Sequence, residues 1–196
     1  MKVRDKLPKR RPLTTKTPNE GKWTEHKPDL REDFHSHCGY CGSYDGYRHT
    51  WYEVDHFIPK SLLGGKISDV EYSNLVYSCK FCNNKKLAKW PTEDISIPNA
   101  NDKGFIDPCD KEYDSHLYRT SDGGIMWRTD LGKWMWETAF KFDERNYSAL
   151  NLMAAKSILI DSFLLILAPI FIRLSFNFSV IFTYLYLDRI CRKIIF

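Results

Sequence analysis

Four cysteines fall in two pairs of equal spacing, Cys38-Gly39-Tyr40-Cys41 and Cys79-Lys80-Phe81-Cys82. A C-x-x-C turn aims two sulfurs at one point. A second such turn completes a tetrahedral shell around Zn2+, with Zn–S bonds of about 2.3 Å. The gap between the pairs is longer than in a minimal zinc ribbon, so the metal would staple the two ends of an inserted segment. A single C-x-x-C is also a redox motif, and in a secreted chain such cysteines form disulfides. The N-terminus is basic, but residues 7–12 hold no apolar h-region of a signal peptide. Structural zinc in a cytoplasmic setting is therefore the expectation. Cys109 and Cys191 stand apart from the pairs and read as ordinary thiols.

Between the pairs lie Asp55-His56, Asn74 and, directly after Cys82, Asn83. A carboxylate is a hard oxygen ligand suited to Mg2+ or Mn2+, and an amide carbonyl is another. A neutral imidazole beside them can take a proton from water near neutral pH. Neighbouring strand residues point to opposite faces, so Asp55 and His56 need a local twist to serve one site. Asn74 opens the second apolar run, where it can hydrogen-bond the backbone of the preceding loop and hold His56 in register. Lys60, Lys85 and Lys86 are the candidate contacts to nucleic-acid phosphates.

The run Cys38-x-x-Cys41, Asp55-His56-x-x-Pro59-Lys60-Ser61, Asn74-Leu75 and Cys79-x-x-Cys82-Asn83-x-x-Lys86 resembles the HNH endonuclease family with its ββα-metal finger. The resemblance implies His56 as general base, Asn74 as the residue that positions the loop, and Asp55 and Asn83 as ligands of a catalytic Mg2+ or Mn2+. It places Lys86 near the scissile phosphate. Asn83 stands where many members carry His; the oxygen ligand is kept. The stretch from Gly104-Phe105-Ile106-Asp107-Pro108-Cys109 to Tyr113-Asp114-Ser115-His116-Leu117 is similar, more loosely, to a downstream segment of HNH proteins of bacterial and phage defence. That implies a bacterial or phage cytoplasm, DNA as substrate, and a companion such as an ATPase. The competing reading is a zinc-stabilised module that binds nucleic acid without cutting it.

An α+β chain has to position these groups. Residues 51–56 and 74–78 read as strands, and 79–90 as a helix stopped by Pro91. A short helix over 29–37 leads into the first cysteine pair. Further on, 115–120 and 124–129 form a hairpin about Ser121-Asp122-Gly123-Gly124, and 130–142 is a helix that continues over 144–155. Residues 1–30 read as a flexible basic arm: to residue 31 there are ten Lys/Arg against four Asp/Glu, in a chain whose net charge is only +4. Residues 31–92 are then the nuclease core and 93–156 an accessory hairpin with helices, giving an α-rich C-terminal extension. Residues 157–196 are an apolar tail. Within it, 158–187 carries charge only at Asp161 and Arg173. Its charge-free runs are shorter than the roughly 20 residues of a membrane span. Buried helices, a membrane anchor and a segment foreign to the domain all fit this composition.

Overall fold

A computed structural model describes residues 1–47, 50–92, 94–145 and 147, all within one compact unit, Met1–Asn151. Its centre is a two-stranded antiparallel sheet. Strand β1 (Tyr52–His56) pairs with β2 (Leu75–Cys79), with Tyr52 opposite Cys79 and His56 opposite Leu75. Helix α1 (Lys27–Asp33) precedes the sheet, α2 (Lys60–Leu63) lies in the loop between the strands, and α3 (Lys80–Lys86) follows β2 directly. Every residue of β2 is buried, because α1 and α3 both pack on the hairpin. Leu30 and Phe34, on and just after α1, are buried in this core, each worth roughly 2–3 kcal/mol of apolar burial.

The first cysteine turn is wedged into the core. Gly39 donates its N–H to Tyr77 of β2 at 2.8 Å. A Cβ at Gly39 would lie 2.7 Å from the Phe34 ring and 2.8 Å from Val76, so only glycine lets the knuckle approach this closely. Gly42 has φ +65°, and its N–H closes the turn onto the Cys38 carbonyl at 2.8 Å.

The second strand begins one residue later than expected, after a 3-10 turn over Tyr72–Asn74 whose preceding residue, Glu71, accepts from the Ser73 N–H. Helix α3 ends at Lys86 rather than near Trp90. Leu87 turns to φ +49°, and the Lys89 ammonium takes the orphan carbonyl of Lys85 and, at 3.1 Å, that of Ala139. Downstream, β3 (Asn99–Ala100) and β4 (Lys103–Gly104) form a miniature hairpin. Asn101 and Asp102 supply its two left-handed turn residues. Then come α4 (Tyr113–His116), the β5 (Leu117–Arg119)–β6 (Ile125–Trp127) hairpin, and α5 (Asp130–Trp134). The expected helix over 130–142 changes to a π-turn over Met135–Ala139. The described part of the extension is thus short helices joined by small antiparallel hairpins, in keeping with an α+β chain. The expected helix beyond 146 and the apolar tail lie outside the described residues. Among the described residues no helix is long and apolar enough to cross a membrane.

The expectation of a free basic arm over residues 1–30 is corrected. Arg4 is buried and pairs with Asp114 at 3.1 Å, Arg10 pairs with Asp107 at 3.0 Å, and Arg11 bridges Asp29 at 3.1 Å and Asp33 at 2.8 Å. Val3 is buried, and the Met1 ammonium donates to the Arg119 carbonyl. Composition counts the arginines but does not show their acidic partners, two of which, Asp107 and Asp114, lie far along the chain. The segment is a strap laid across the core.

Candidate active site

The four cysteines expected to bind zinc converge. The sulfurs of Cys38, Cys41, Cys79 and Cys82 lie within 4.8 Å of one another, all buried, with Cys41 and Cys79 3.7 Å apart. A tetrahedron with Zn–S bonds of about 2.3 Å has S···S edges of about 3.8 Å. Four soft thiolates at that spacing can hold a metal such as zinc. Burial pushes the Cys38 and Cys82 thiols well up. For Cys41 the same burial is outweighed by hydrogen bonds from the other three cysteines and by the charge of Arg145, and its pKa falls well below the usual thiol value. His35 and His37 stay outside this cluster; the His37 ring contacts the His35 carbonyl through Nδ1 at 2.6 Å. Cys109 is half-buried and unpaired, its pKa pushed up to about 11 mainly by burial.

His56 ends β1. Its Nε2 lies 2.8 Å from the Asp69 backbone carbonyl. A carbonyl only accepts, so Nε2 carries the proton and Nδ1 keeps the lone pair in the neutral ring. The indole of Trp23 lies 5.2 Å from the imidazole, centroid to centroid. Asn74 clamps the start of the loop: its Oδ1 accepts from the Ile58 N–H at 2.8 Å and its Nδ2 donates to the Ile58 carbonyl at 3.1 Å. Its own carbonyl accepts from the Phe57 N–H at 2.8 Å.

Asp55 is buried on the other face of β1. Its Oδ2 accepts from the Tyr40 hydroxyl at 2.5 Å and lies 3.2 Å from the Lys86 ammonium. Burial raises the Asp55 pKa, against the opposing pull of Lys86 and Tyr40; burial likewise lowers that of Lys86. Asn83 does not touch Asp55. One turn before Lys86 on α3, it donates through Nδ2 to Glu53 Oε2 at 2.6 Å. These bonds use Asp55 Oδ2 and Asn83 Nδ2, and leave Asp55 Oδ1 and Asn83 Oδ1 as oxygen donors on the β1–α3 interface. Oxygen atoms of this kind are the hard donors that Mg2+ or Mn2+ takes.

The three lysines expected to meet phosphates fare differently. Lys86 is fully buried against Asp55 and the His56 carbonyl, so the phosphate-contact reading is corrected: an ammonium sealed in the core reaches no DNA. Lys60 is half-exposed, pairs with Asp69 at 2.6 Å and sits 4.0 Å above the Trp23 ring. Lys85 is part-exposed and pairs with Glu144.

A strand pair and a following helix, with a histidine at a strand end and a cysteine cluster joining the helix to an upstream knuckle, form a ββα finger whose four cysteines could hold a metal such as zinc. Residues 38–89, about a quarter of the chain, match the family model described as HNH endonuclease, and this segment is an HNH domain. No curated protein and no solved structure matches the chain.

Four residues with a part in this site were not singled out in the sequence. Glu53 was within reach, since the period of two puts it on the face of Asp55. Tyr40 lies inside the first C-x-x-C. Trp23 and Arg145 lie outside the matched segment and carry no local signal.

Proposed function

We propose that the chain is a metal-dependent HNH endonuclease hydrolysing DNA phosphodiester bonds with His56 as general base. The observation that carries this reading is the hydrogen bond between His56 Nε2 and the Asp69 carbonyl. It fixes the tautomer in which Nδ1 takes a proton from the attacking water. Asn74 holds the Phe57–Ile58 backbone directly after His56, and so keeps the ring's anchor strand and the loop in register. Asp55 and Asn83 would hold a Mg2+ or Mn2+, which would supply Lewis-acid stabilisation of charge on the phosphodiester. Lys60 and Lys85 are the phosphate contacts, each exchanging a carboxylate partner for DNA. A defence setting, a bacterial or phage cytoplasm and a companion ATPase rest on the family resemblance alone.

The test is nicking of supercoiled plasmid in Mg2+ or Mn2+ by zinc-loaded protein, beside His56→Ala and with RNA of the same sequence as a second substrate. Equal nicking by both proteins removes His56 from the mechanism.

A second reading is a zinc-stabilised module that holds nucleic acid without cutting it. It is favoured by the engagement of Asp55 with Lys86 and Tyr40, since a carboxylate already satisfied gains less from a metal. An Asp55→Asn protein with unchanged DNA affinity, beside a wild type with no cleavage in either metal, selects this reading.

A further inference from the structure

We infer that Arg145 is the counter-ion of the thiolate-bound zinc, so that metal retention depends on a residue well beyond the HNH domain. This deepens the structural-zinc reading and rests on it, not on nuclease activity.

Four thiolates around Zn2+ carry a net charge of about −2 by simple addition of formal charges. All four cysteines are at most 1 % exposed, and a buried charge without a partner is costly. Arg145 stands where that charge develops. Its Nη1 lies 3.4 Å from Cys79 Sγ and 3.6 Å from Cys82 Sγ. Its Nη2 donates to the Ser43 hydroxyl at 3.2 Å, and that hydroxyl is itself 3.2 Å from Cys41 Sγ. One guanidinium therefore reaches three of the four sulfurs, two directly and one through a hydroxyl.

The remaining contacts support this role. Arg145 is itself buried, with its guanidinium carbon 4.9 Å from the ring centre of Phe81, the residue just before Cys82. Among the described residues no carboxylate pairs with it, whereas the other buried arginine, Arg4, pairs with Asp114. The sulfurs are its counter-charge. The planar fork suits the task, because a lysine presents a single point charge and does not span two sulfurs and a hydroxyl. N–H···S bonds draw charge off the thiolates and hold them in place around the metal. The counter-charge to the sulfurs thus comes from Arg145, which follows the turn Phe142–Glu144.

The experiment uses the full chain loaded with zinc, and the rate at which zinc passes to a colorimetric chelator in excess. Arg145→Gln is compared with wild type, Arg145→Lys, and Arg128→Gln, a control with the same change in charge away from the sulfurs. Outer-shell partners are worth about 10–100-fold in metal affinity. Arg145→Gln is expected to release zinc at least about tenfold faster, Arg145→Lys to fall between, and Arg128→Gln to match wild type. Co2+-substituted forms should all keep a four-thiolate absorption spectrum, showing that the ligands themselves are unchanged. Zinc release from Arg145→Gln at the wild-type rate overturns the inference alone. A wild-type chain that takes up neither zinc nor Co2+ overturns the zinc reading beneath it. Should Arg145→Gln fail to fold, Arg145→Lys decides: faster release than wild type supports the inference, and equal release overturns it.

Discussion

The ammonium of Lys86 lies 3.2 Å from Asp55 Oδ2 and 2.6 Å from the backbone carbonyl of His56, with no exposure to solvent. It joins α3 to the strand end that carries the catalytic candidates. Removing one partner of a buried pair leaves the other uncompensated, at a cost of about 3–5 kcal/mol. Lys86→Met should lose stability of that order in urea unfolding. The double variant Lys86→Met with Asp55→Asn should recover much of it. A single variant as stable as wild type would show that the pair is not held in the folded protein.

Asn74 makes two hydrogen bonds to the backbone of Ile58. Asn74→Ala leaves the half-buried N–H and C=O of Ile58 without these partners, at about 0.5–1.5 kcal/mol for each bond lost. The unfolding midpoint should fall with an unchanged slope, and plasmid nicking should drop while zinc content holds. Full nicking by Asn74→Ala would place the clamp outside catalysis.

Glu53 accepts from Asn83 Nδ2 at 2.6 Å, which fixes the amide so that its oxygen is the free donor. With Asp55 and Asn83 as the proposed cation ligands, Glu53→Ala should weaken Mn2+ binding by about 10–100-fold, as for other outer-shell partners. Glu53→Gln keeps an acceptor and should stay near wild type. Counting free Mn2+ by electron paramagnetic resonance reads both, with zinc content as the control.

Asp29 predicts the response to acid. Burial pushes its pKa up, but the Thr15 N–H at 2.7 Å, the Thr15 hydroxyl at 2.8 Å and Arg11 at 3.1 Å outweigh it, and the value falls below the ordinary one. The unfolded carboxyl titrates near about 3.9. A depressed native value means the contribution is complete above that pH and is lost as pH falls through the native value. Thermal midpoints should therefore drop steeply below about pH 4. Asp29→Asn should be less stable at neutral pH and show a shallower acid limb. An identical acid limb in both proteins would remove Asp29 from this dependence.

The finger was legible because its signals are local. Two C-x-x-C turns, an Asp-His at a strand end and an asparagine after the last cysteine are short-range patterns that fix both elements and chemistry. The Asn74 clamp spans only sixteen residues to Ile58. What the sequence hid is long-range. The arginines of residues 1–31 look free until Asp107 and Asp114 fold back onto them, and Lys86 looks like a phosphate contact until α3 turns it inward. The end of α3 was misjudged because Leu87 is not a residue type that signals a left-handed turn.

The docked strap also bears on synthesis. Arg4 and Arg10 leave the ribosome early, yet Asp114 and Asp107 follow 110 and 97 positions later. The ion pairs of residues 4 and 10 cannot form until the segment that carries their partners has been translated. Closure across so wide a separation in sequence is slow. Docking of this strap therefore carries the loop-closure cost of contacts about a hundred residues apart.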